Sequence, residues 1–247
     1  MRLVTLFALL GLPVLSSAKA ESIPSLSGKK IAVLAFGLDK SIVKENDERD
    51  QGPGLLQKST DYYAANQKAA DSLYAHFLAA VPTLFEGIQL VPVDTIVHAP
   101  GYQTATACVP KKFMGREIFG CQNLSPTNGL NAASLTQAKE NFDPFAKNLG
   151  LDYFLVFVSS ANYRMNIGGG VNGLTAGAGK MSLETTVYLM QPGKGSVWST
   201  SLRESSEHSG AMVGDLFSTD NYVLIGEAFT KMVPKLREGL AKGSIVP

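Results

Sequence analysis

A lysine that closes a glycine-rich run invites a search for phosphate chemistry, and Gly179-Lys180 ends such a run beginning at Gly168. A phosphate-cradling loop needs a glycine five places before its last one, a hydroxyl after the lysine, and a helix whose amino end receives the anion. Leu174 and Met181 hold the first two places, and a strand pattern follows. Segment 168–180 is therefore expected to be a flexible loop, and the dinucleotide fingerprint fails for the same reason. His76, His98 and His208 are the only histidines, none with a second at ligand spacing, so no metal is expected. Asp39, Glu45, Asp47, Glu48 and Asp50 crowd one polar loop, but not at the spacing of a calcium loop. Ser205, Ser206 and His208 cluster locally, yet sequence neighbours without an orienting acid are no triad, and no nucleophile elbow occurs. The reading names no catalytic, cofactor-binding or metal-binding residue.

A different signal lies between Cys108 and Cys121. Lys111, Lys112 and Arg116 are interleaved with Phe113, Met114, Ile118 and Phe119. In an oxidising compartment the two cysteines are expected to join, closing a short stiff loop. Its basic, partly apolar tip suits a partner, and Lys111, Lys112, Phe113 and Arg116 are the candidate partner-binding residues.

The elements that must hold this tip follow from periodicity. Leu149-Gly150 reads as a helix end, and Tyr153 to Val158 as a strand buried on both faces, because the run is unbroken, β-branched and aromatic. Ile31 to Gly37 is a first strand. Ala65, Ala69, Leu73, Phe77 and Ala80 mark a helix from Thr60 to Ala80, closed by Pro82. Ile88 to Val93 reads as a strand that Pro92 assigns to an edge, with Asp94 capping a short turn. Pro100 to Asn131 loses all pattern and is the expected insertion. Ser134 to Gln137 has capping-box spacing, and Asp143-Pro144 suggests a further cap. Met181 to Leu189 alternates as a strand and pairs with Val197 to Leu202 across the turn Gln191 to Gly195. A last helix, Tyr222 to Leu240, carries Ile225, Phe229, Met232 and Leu236 on one side, with Pro234 inside it.

Residues 1–20 read as a signal peptide. Arg2 precedes an apolar stretch from Leu3 to Leu15, and Ala18-Lys19-Ala20 offers the small-x-small cleavage pattern. Residues 21–247 then form a single α/β domain interrupted at about 100–131, with no transmembrane helix in the mature chain. The whole chain carries a formal charge of +1, near neutrality, which argues against a nucleic-acid partner.

Three stretches carry a resemblance: Lys30 to Phe36, Leu149 to Val156, and the meander from Glu184 through Gly195 to Ser199. The chain resembles the α/β domain shared by the TolB amino-terminal domain, CsgG and LpoB. The likeness implies a mixed β-sheet with helices packed against it, in a bacterial envelope protein that binds other proteins and needs no cofactor. The departures are a missing lipid-attachment cysteine, Phe157 where the family often has glycine, and no propeller repeats after the domain. The expected function is that of a periplasmic or secreted, non-catalytic protein-binding or assembly module. One alternative is an oligomeric, CsgG-like secretion or flagellar-base component, a homo-oligomer whose glycine-rich loop orders on assembly. Another is a hydrolase built on Ser205 and His208.

Overall fold

Strand order is set by the apolar run at Tyr153. In the computed structural model, which describes residues 25–38, 62–106, 112–113, 116–117, 124, 142–171, 174–213, 216–217 and 223–242, that run opens the central strand β5 (Tyr153–Val171). All statements below concern these residues. Residues 153–159 are buried, as an unbroken apolar strand with neighbours on both faces must be. Strand β1 (Lys30–Leu38) lies parallel to β5 on one side, with β2 (Gln89–Leu90) parallel beyond it. On the other side β6 (Leu174–Gln191) runs antiparallel along the whole of β5. The far edge of β6 is shared by β7 (Gly195–Ser205) and β8 (Gly210–Val213), one beyond the other. Beside β8 stands β9 (Leu216–Phe217), completing a mixed 7-stranded sheet. The expected mixed sheet with packed helices is what the chain forms.

Helices α1 (Tyr62–Leu84) and α5 (Val223–Lys242) cover one face. Phe77 of α1 and Phe229 of α5 meet Phe157 there, at ring-centroid distances of 4.4 and 6.4 Å. Gly226 sets how closely the two helices approach, because a Cβ there would lie 2.1 Å from His76 Nε2. Alternation along β5 turns Phe154 to the opposite face, where it meets Phe142 of α4 (142–148). Short helices α2 (Val93–Val97) and α3 (Tyr102–Thr106) precede it, and Tyr102 packs its ring against Phe145.

The starts of β1 and β5 are stapled by one carboxylate. Lys30 N–H donates to Asp152 Oδ2 at 2.9 Å, and Lys29 Nζ pairs with Oδ1 at 3.2 Å. Asp152 N–H returns a bond to Lys30 O at 2.9 Å, and Lys30 Nζ reaches Leu149 O. The Lys30 backbone bond holds the Asp152 carboxyl below its ordinary value; burial opposes this and the Lys29 ammonium adds to it. The unfolded chain therefore binds the proton more readily. The staple's stability is fully present above the ordinary aspartate value of about 3.9 and is lost as pH falls through the lower folded value. Asp152→Asn is expected to flatten the acid limb of a melting-temperature profile below about pH 4. An unchanged limb would show that the staple does not drive acid unfolding.

Four readings need correction. The glycine-rich segment is not a flexible loop: Met165 to Val171 pairs with Leu174 to Gly179 in a continuous ladder, broken by one bulge between Met165 and Ile167. Residues 172–173 lie outside the described residues; in sequence they are Asn-Gly, the pair that favours a tight two-residue hairpin. Helix α1 continues through Pro82 because Val81, Leu84 and Phe85 are buried, and Phe85 N–H still reaches Val81 O at 2.8 Å. Asp94 caps nothing: Pro92 precedes α2 without a side-chain cap, and Asp94 lies inside the first turn. Asp143 likewise sits inside α4, its Oδ2 accepting Gly193 N–H at 2.7 Å across the β6–β7 turn. Gly150 does end α4, at φ +64°. The irregular stretch from Pro100 holds α3, with Tyr102, Ala105 and Thr106 buried, and Leu124 is buried as well. Ser134 and Gln137 lie outside the described residues.

Candidate functional site

The basic tip forms a minimal hairpin. Strands β3 (Lys112–Phe113) and β4 (Arg116–Glu117) pair antiparallel, with Lys112 opposite Glu117 and Phe113 opposite Arg116. The backbone thus brings three of the four candidate residues onto two adjoining rungs. Lys111 lies outside the described residues. So do Cys108 and Cys121, and the structure offers no support for a bond between them.

The serine and histidine cluster serves architecture. Ser206 is fully buried; its Oγ accepts Met181 N–H at 3.1 Å and donates to the His208 backbone carbonyl at 2.7 Å. The His208 ring turns the other way, Nδ1 donating to Glu227 Oε1 at 3.0 Å, while His208 N–H donates to Oε2 at 3.1 Å. Lys231 Nζ reaches Ser205 O at 2.9 Å, and Lys235 pairs with Glu204. Together these contacts clasp the end of β7 and the turn into β8 onto α5. Burial pushes the Glu227 carboxyl up, but the backbone and ring of His208 and the Glu207 N–H outweigh it, so its titration lies low. An orienting acid for His208 does exist, then. Ser206, the buried serine of the cluster, is bonded to the His208 backbone instead of its ring.

The other two histidines join no such cluster. His98 Nδ1 donates to Asp94 O at 2.8 Å on an exposed turn, and His76 lies over Gly226. Among the described residues no group of three or more His, Cys, Asp or Glu comes together to hold a metal ion. No helix among them is long and apolar enough to cross a membrane, which says nothing of strands.

Sequence reasoning missed the Glu227 clasp, since its partners stand 19 residues apart and no local pattern joins them. It also missed strands β8 and β9, which are short and carry little alternation.

No known protein family matches the chain by sequence, and no curated protein does. Among solved structures it is similar to the LpoB C-terminal domain from Salmonella enterica, at 15% identity and a TM-score of 0.29. That likeness covers 74% of this chain and 86% of that one. It is also similar to the lipoprotein GNA1162 from Neisseria meningitidis, at 10% identity and a TM-score of 0.33, over 84% of this chain and 99% of that one. Both likenesses are remote, and neither places the chain in the TolB, CsgG and LpoB family.

Proposed function

We propose that the chain is an exported bacterial envelope protein, periplasmic or secreted, that acts by binding another protein and not by catalysis. The observation that carries this reading is the β3–β4 hairpin, whose register sets Phe113 across from Arg116 with Lys112 on the next rung. A tip of this kind offers an apolar anchor beside positive charge, the pairing that recurs at the energetic centre of interfaces. The hydrolase alternative on Ser205 and His208 gains nothing from the neighbouring Ser206, whose hydroxyl bonds backbone groups, and the contact seen at Ser205 is its backbone carbonyl accepting from Lys231. The oligomeric alternative loses the rationale of a loop that orders on assembly, because the 165–179 ladder forms within one chain.

Binding kinetics against the partner captured from the native envelope test the reading. Replacing Lys111, Lys112 and Arg116 with serine should slow association and flatten its salt dependence, since charge chiefly steers encounter. Phe113→Ala should instead speed dissociation, by about 5- to 30-fold for an anchor worth roughly 1–2 kcal/mol. If both variants bind as the parent does, the hairpin is not the docking site.

A further inference from the structure

We infer that the outer edge of β7 takes an extended, acidic segment of another protein as an added strand. Ser206 N–H donates to Met181 O at 2.8 Å, and this bond sets the phase of the β6–β7 ladder. Residues in step with Ser206 turn their backbone groups toward β6, so Ser199, Ser201, Arg203 and Ser205 turn theirs outward. The Ser205 carbonyl agrees with this phase, since it accepts from Lys231 Nζ of α5. Among the described residues no strand lies beside β7 on its outer side, and no hydrogen bond reaches the outward backbone groups of Ser199, Ser201 and Arg203. Natural sheets blunt such edges with short strands, proline or lysine. Strands β2 and β9 follow that rule at 2 residues each. Strand β7 runs for 11 residues without proline or lysine, and its bulge lies at the Trp198 end, leaving 199–205 regular. A regular open edge is a template for strand addition, in which backbone bonds give affinity and side chains choose the partner.

Charge decides what kind of strand fits. Arg203 is exposed, its Nε donating to Ser182 Oγ at 3.0 Å. Lys231 and Lys235 reach the same end of the edge from α5, at Ser205 O and at Glu204. Glu204 is thus already engaged, and Glu184 stands beside Arg203 one strand further from the edge. A strand laid along 199–205 therefore meets Arg203, Lys231 and Lys235, and acidic residues placed opposite them answer their charge. A second copy of β7 would bring the same cations and answer none of them. The edge is also ordered before anything binds, because β6 pairs along its length and α5 holds its end, so little entropy is lost on docking.

Residue-resolved amide hydrogen exchange of the full chain tests this. The probe is a capped peptide of alternating threonine and glutamate, about eight residues long, enough to span the 199–205 edge. Without it, the amides of Ser199, Ser201 and Arg203 should exchange fast while those of Thr200 and Leu202 are protected. The probe should slow the outward amides by about tenfold or more, as new backbone bonds form. A version with lysine in place of glutamate should not, nor should the acidic peptide N-methylated at every residue, which has no backbone N–H to donate. Both controls use the unmodified chain and so stand even if a variant folds poorly. Arg203→Ser should weaken the probe's binding by about 5-fold, the upper end for one cross-strand charge pair. Outward amides already protected in the dilute protein alone would overturn the inference. So would protection that grows with protein concentration in the absence of probe, which marks a second copy, or equal protection by all three peptides, or none by the acidic one. Serine at Lys111, Lys112 and Arg116 should leave the probe's effect unchanged, so this inference and the β3–β4 reading fail separately.

Discussion

Phe157→Ala is expected to destabilise the fold by about 3–5 kcal/mol, the usual cost of removing a buried aromatic ring from a well-packed core. Phe157 is 1% exposed, and rings from three other elements converge on it. Its ring stacks on Phe36 of β1 at 5.5 Å, lies 4.4 Å from Phe77 of α1, and meets Phe229 of α5 at 6.4 Å. Phe36 in turn makes an edge contact with Tyr74 at 5.2 Å. The rings around it stand on a strand and two helices, so the space closes only in part and the cost of the cavity adds to the lost transfer energy. A domain stable by about 5–15 kcal/mol would lose a fifth or more of that margin. Urea denaturation of the two proteins measures it. A loss below about 1 kcal/mol would show that the cluster is not where the sheet and both helices are joined.

Tyr102→Phe should cost about 1–3 kcal/mol although it removes a single oxygen. The β1–β5 register passes from Val33 opposite Leu155 to Ala35 opposite Val156, so Leu34 has no partner in the ladder. A bulge of this kind strands the extra residue's backbone groups. The Tyr102 hydroxyl resolves it, donating to Leu34 O at 2.7 Å within the core. Phenylalanine would keep the ring contact with Phe145 and leave a buried carbonyl without that donor. A midpoint shift with unchanged denaturant sensitivity is the expected signature. Wild-type stability in the variant would mean that the carbonyl finds water.

The Leu34 bulge marks where sequence reading reaches its limit. Ile31 to Gly37 is legible as a buried strand because apolar side chains cluster without interruption. Nothing in those residues tells that the ladder slips by one, or that a tyrosine 68 positions later supplies the missing donor. Tyr153 to Val158 and the Ile225, Phe229, Met232, Leu236 stripe were legible for the same reason: burial leaves its period in the sequence. Glycine content alone reads the arm as a loop and hides its turn chemistry. Asn172-Gly173 carried the hairpin signal, and with it the pairing of everything from Gly168 to Gly179 follows. For the candidate site, the interleaving of Lys111, Lys112, Phe113 and Arg116 was visible, while the pairing of Phe113 with Arg116 needed the backbone. The Ser206, His208 and Glu227 arrangement was not visible at all, since its acid comes from a distant helix.

The proposed function makes the β3–β4 hairpin the face presented to another protein. Site-specific photocrosslinking tests it most directly, with a photoreactive side chain placed at Phe113 and, as a control, at exposed Lys194 in the β6–β7 turn. A discrete adduct of one defined mass is expected from Phe113 in the native envelope, lost when Lys111, Lys112 and Arg116 are replaced by serine, and no adduct from Lys194. Equal labelling from both positions, or none from Phe113, would contradict it.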